Sequence, residues 1–185
     1  MSIFEFLMVL VSIIIGLGIA EILRGVARHI RNRDSVSSYW VHSVAVVFVF
    51  LALLQQWWEI WGLKEYLDWT FFGLLMMLSG PTGLFLIAYL LFPQPIHGTD
   101  FRDYYFGQMR PVWWIAVLTV TLATLFRPVV FGNALFIVDN ATSFLGFVGF
   151  ILLALFQNRL LHALLLPFFL VSLLWDILAM SFQIS

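Results

Sequence analysis

Long apolar runs, each bounded by a few polar residues, dominate this chain and leave it few ways to fold. A membrane-crossing helix needs about 20 largely apolar residues. Six stretches approach or reach that length: 3–23, 38–61, 69–92, 112–131, 141–157 and 160–182. The fifth is the shortest, and the loop before it is itself apolar, which leaves room for a re-entrant segment around Phe131 to Val138. Lipid offers no partner to a backbone N–H or C=O, so only helices and closed barrels cross it. Barrel strands read as short segments of alternating polarity, and this chain has none. The expectation is an all-α polytopic membrane protein, a single transmembrane domain over residues 1–185 with six spanning helices.

Composition agrees and removes several classes of function. Apolar residues make up 63% of the chain and charged residues 10%, against about 45–50% and about 25% in soluble domains. A soluble chain this short has too much surface to hide such an excess. The net charge of −1 supplies no basic patch for nucleic acid. The absence of Cys removes disulfides, thiolate catalysis, iron–sulfur clusters and Cys-ligated zinc. Lys64, the sole lysine, lies outside every apolar run, which excludes a retinal Schiff base.

Arginine sets the expected direction. Arg24, Arg28, Arg31 and Arg33 follow the first span, Arg102 and Arg110 the third, and Arg159 the fifth. With six spans these loops share one side, and positive loops stay in the cytoplasm. Both termini are then on the non-cytoplasmic face. Trp residues fall near both predicted interfaces, as aromatic belts do. The first run has no basic residue before it and several after it, so it reads as a retained anchor rather than a cleaved signal. The segment from Pro93 to Pro111, rich in Tyr and Phe, is expected at the inner interface. Leu51–Gln56 resembles Leu153–Asn158, a faint trace of an inverted repeat of three spans each.

The segments Val11–Gly18 with Glu21, and Phe50–Trp58, resemble uncharacterised bacterial multi-pass membrane proteins over roughly the first third of the chain. That resemblance implies a bacterial inner (plasma) membrane and no particular activity.

Charges inside apolar runs are the best pointers to chemistry, because each costs about 2.5–3.5 kcal/mol on insertion scales and usually faces protein or water. Glu59, Arg127 and Asp176 are of this kind. Counted at about 1.5 Å per residue, all three fall in the outer third of their spans, with Glu5 at a similar level. Gln55 precedes Glu59 by four residues and so shares its face. Together they predict a net negative, outward-opening site for a small cation or protons. The competing reading is a salt bridge, Arg127 with Asp176, that only locks helices. Ser79-Gly80-Pro81-Thr82-Gly83 falls near mid-span. Proline removes a donor and clashes with the preceding turn, so a broken third helix with substrate-facing backbone is expected, or else a simple kink. Glu21, three residues before Arg24, is an interfacial ion pair or an inner gate.

Histidines give less. His42 and His162 lie near the inner ends of their spans, a depth at which two imidazoles would suit a haem. His97, Asp100 and Asp103 have a loose ligand spacing that a solvated loop explains equally well. No nucleophile has a base at its own depth, which argues against an intramembrane serine protease at Ser79. Walker A and HExxH patterns are absent.

The functional expectation is a channel-like or transporter-like protein for a small cation or protons, not an enzyme, with no cofactor and no metal site. Its partners are the lipid bilayer and further copies of itself or other subunits of a membrane complex. The alternatives are a non-transporting structural subunit and, more weakly, a haem-binding electron carrier.

Overall fold

The computed structural model describes residues 3–64, 69–132 and 141–181, with the side chains of 3, 127, 131, 141, 142 and 179–181 excepted. The segment 133–140, which holds most of the candidate re-entrant stretch, lies outside the described residues. Helices account for nearly all the rest: α1 (Ile3–Arg31), α2 (Trp40–Trp61), α3 (Phe71–Leu90), α4 (Phe101–Gln108), α5 (Arg110–Phe131), α6 (Ala141–Leu155) and α7 (Arg159–Ser181). Among the described residues α1, α2, α3, α5 and α7 are long and apolar enough to cross a membrane. The fifth predicted span, α6, has 15 residues, or about 22 Å of helix, less than the roughly 30 Å of a hydrocarbon core.

The helices run up and down. Phe4 at the start of α1 meets Trp61 at the end of α2, and His29 near the end of α1 hydrogen-bonds Ser38 just before α2. A ring forms from α2, α3, α5, α6 and α7, each packed on the next, with α7 returning to α2. The first helix lies outside this ring, against α2 and α3. Close approach depends on glycine at chosen points. Gly18 rests on Leu53 and the backbone of Phe85, Gly25 on the ring of Phe92, and Gly149 on the ring of Phe169. Gly16, with the same small-residue signature, faces open space. Rings of Phe48, Phe150 and Phe169 join α2, α6 and α7 at mid-height. Large apolar side chains cover the outside, among them Phe71, Leu160 and Trp175, each more than 70% exposed. Such a surface suits lipid rather than water.

The helices depart from a simple reading of the apolar runs at three places. The first helix does not stop near residue 23. It continues to Arg31, because Glu21, Arg24, Arg28 and Arg31 favour helix and Phe92 covers Gly25. The segment 93–111 is not all loop. Asp100 accepts hydrogen bonds from the backbone N–H groups of Arg102 and Asp103 and so caps α4. Phe101, Tyr105 and Met109, four residues apart, then bury one face of that turn of chain. The third helix is not broken: α3 runs without interruption through Pro81. The two halves are also packed differently, since α1 lies along α3 whereas α5 and α7 are not packed side by side.

Candidate functional site

Three helical stripes meet inside the ring. On α2 the stripe is Ala45, Val49, Ala52, Gln56 and Glu59, on α3 Gly80, Leu84 and Ile87 with Leu91 just after it, and on α5 Val112, Ala116, Thr119 and Ala123. Steps of three and four residues keep each set on one face. All of these but Gly80 line a cleft of about 200 Å³, completed by Phe150 and Leu173 from α6 and α7. A recess of about 80 Å³ adjoins it, and Gln56, Glu59 and Ala123 line both. The space exists because four positions facing it on α2 and α5 are alanine. Longer side chains there would fill it.

Polarity changes along the cleft. The Ala45 end is walled by aliphatic and aromatic groups, and the opposite end by Gln55, Gln56 and Glu59. These levels are about 21 Å apart along α2. Gln55 is buried, and its amide donates to Glu59 Oε1 at 3.3 Å. The Gln56 amide lies against Gly80, where an added Cβ would stand 2.9 Å from Oε1. The Thr119 hydroxyl donates to Ile115 O at 2.7 Å and presses on Gly83. The Ser79–Gly83 segment is thus a packing station. Gly80 admits α2, Gly83 admits α5, and Ser79 spends its hydroxyl on Met76 O at 2.6 Å.

The Ala45 end is closed by a polar-aromatic plug under Leu91 and Trp113, both of which line the cleft floor. His42 Nε2 donates to Leu91 O at 2.7 Å. Trp113 stands against Tyr105 and His162. His162 Nε2 faces Phe156 O at 3.0 Å, a partner that only accepts, so Nε2 carries the proton. The neutral ring then accepts the Tyr105 hydroxyl at Nδ1, 2.7 Å away. With both nitrogens of His162 engaged, the haem reading gains no support from this geometry. Burial pushes the Tyr105 and Tyr104 phenols above their ordinary value, so both remain neutral donors.

Of the residues expected to form the outer site, Glu59 and Gln55 line the cleft, and Gly80 lines the adjoining recess. Ser79, Pro81 and Thr82 line neither. Thr82 is exposed and Pro81 is buried. Asp176 lies partly buried on α7, about one turn beyond Leu173, and does not line the cleft. Glu5 is exposed on α1, which is outside the ring. The Arg127 side chain lies outside the described residues, so its pairing with Asp176 does too. Glu21 and Arg24 form an ion pair within one turn of α1, away from the cleft. Asp100 is committed to its cap, and among the described residues no three His, Asp or Glu side chains gather as a metal site.

Sequence reasoning missed Gln56, Thr119 and Ala123. The signal was present as alanines seven residues apart on α2 and again on α5, in register with Gln56, Glu59 and Thr119. Which helices would face one another was not. No protein-family model matches the chain, and neither a curated protein nor a solved structure is found to be similar to it.

Proposed function

We propose that this chain is a six-span protein of a bacterial inner membrane that takes a small cation or a proton at Glu59, from the side on which both termini lie. The observation that carries this reading is the placement of Glu59, an exposed carboxylate near the end of α2, at the polar mouth of the cleft, with the Gln55 and Gln56 amides beside it. A carboxylate at the mouth of such a cleft attracts cations, and amide oxygens replace part of a hydration shell. Arginine-rich segments at the plugged end support a cytoplasmic placement of that end, so the cleft opens outward. The short α6 crosses with help from the apolar residues around it, or by local thinning of the bilayer. The closed plug and the open mouth suit alternating access better than a continuous pore. Lacking a nucleotide motif, transport is passive or coupled to a gradient.

Flux into proteoliposomes containing purified protein tests this. Glu59→Gln is expected to lower cation or proton flux by about tenfold, the effect of about 1.4 kcal/mol, with normal elution and melting. Asp176→Asn, off the cleft, is expected to leave flux within about twofold. Unchanged flux in well-folded Glu59→Gln would overturn the proposal and leave a structural membrane subunit.

A further inference from the structure

A small inorganic ion needs only the polar end of the cleft. The remainder, from Ala45 to Ala52 on α2, is about 10 Å of apolar wall. It is faced by Leu84, Ile87 and Ala116, and the whole cleft, polar end included, has about 200 Å³, room for a molecule somewhat larger than the benzene held by an apolar cavity of roughly 150 Å³. An apolar wall of that length is a poor path for a hydrated ion and a good lining for hydrocarbon. Charge and hydrocarbon receptors are therefore arranged in series along one axis.

From this series arrangement we infer that the cleft binds an amphiphilic organic ammonium ion, its nitrogen at Glu59 and an apolar group of about six to eight carbons directed toward Ala45. This names the substrate class of the site proposed above and rests on that reading of Glu59. Charge complementarity comes from the Glu59 carboxylate, with the Gln55 and Gln56 amides at the same level. Depth selectivity comes from Ala52 and Ala116, whose methyl groups leave the space that the tail occupies.

Binding to the full chain in nanodiscs distinguishes the parts. The probes are n-hexylammonium, methylammonium with the same head, and n-hexanol with the same tail. Each buried methylene multiplies affinity by about four. Hexylammonium is therefore expected to bind at least about tenfold more tightly than methylammonium, and similarly more tightly than hexanol. Ala52→Leu and, independently, Ala116→Leu are each expected to reduce hexylammonium to the methylammonium level while leaving methylammonium unchanged. Glu59→Gln is expected to reduce hexylammonium to the hexanol level. Two filling variants on different helices guard against one that fails to fold. The protein has no Cys, so Ala52→Cys gives a second readout: hexylammonium is expected to slow its alkylation, and methylammonium to leave it unchanged. Equal, Glu59-dependent affinity for hexylammonium and methylammonium would overturn this inference and spare the cation reading. Equal affinity for hexylammonium and hexanol, indifferent to Glu59→Gln, would overturn both.

Discussion

Gly83 and Tyr105 show how single groups hold this bundle together. Gly83 sits where α3 meets Thr119 of α5, and a Cβ there would overlap the threonine side chain. Overpacking of this kind costs about 1–3 kcal/mol. Gly83→Ala is expected to lower the melting temperature in detergent, and Thr119→Ala in the same chain to restore part of the loss. Simple additivity of the two changes would deny the contact. Tyr105→Phe removes the donor to His162 Nδ1, and leaving a buried polar atom unpaired costs about 1–3 kcal/mol. The phenols also predict a pH response. Burial raises the Tyr104 and Tyr105 pKa values above the ordinary phenol value of 10.0. The folded state thus holds these protons more tightly than the unfolded state does. Their contribution is complete below the unfolded value of about 10 and is lost as pH rises beyond it. Ultraviolet titration is expected to show tyrosinate from these two residues later than from exposed tyrosine, and stability is expected to fall only in that alkaline range.

Among the elements, α4 matters beyond its eight residues. Its apolar face, Phe101 and Tyr105, forms the base on which His42, Trp113 and His162 rest. The linker before α2 is stitched to the same place, with Ser37 N–H donating to Thr99 O and Phe101 N–H to Ser37 O. The Asp100 cap starts the helix, and losing such a cap costs about 0.5–2 kcal/mol. Asp100→Ala is expected to speed amide exchange across 101–108, with little change in α1 or α7. Uniform protection across the chain would show that the cap contributes nothing local. The third helix illustrates why motif and element part company. Pro81 in isolation signals a break, but α2 and α5 pack on either side of the segment through Gly80 and Gly83. Packing of that kind keeps a proline-containing helix continuous.

For the molecule as a whole, the proposed topology has a direct test because the natural chain has no Cys. Single cysteines at Lys64 and Arg102 lie in segments at opposite ends of the bundle. With the orientation proposed above, Lys64→Cys in intact cells is expected to react with a membrane-impermeant maleimide, and Arg102→Cys only after lysis. Reversed labelling would invert the protein. Labelling of both from one side would mean that α3, the one long helix between them, does not cross.

The apolar runs alone carried the helical class and the approximate positions of the long helices, because burial in lipid demands length and uninterrupted hydrogen bonding from each segment separately. Glu59 and Gln55 were recognisable for the same reason, as polar groups that an apolar run would not otherwise tolerate. Their neighbours in the cleft were not recognisable, because contact between helices depends on how they rotate and cross. Glu5 and Asp176 share a predicted depth with Glu59 yet do not line its cleft, since depth is additive along a helix and azimuth is set by packing. The cleft itself is a property of five helices closing a ring around alanines. No one segment encodes that empty space, and so it became visible when the helices were assembled.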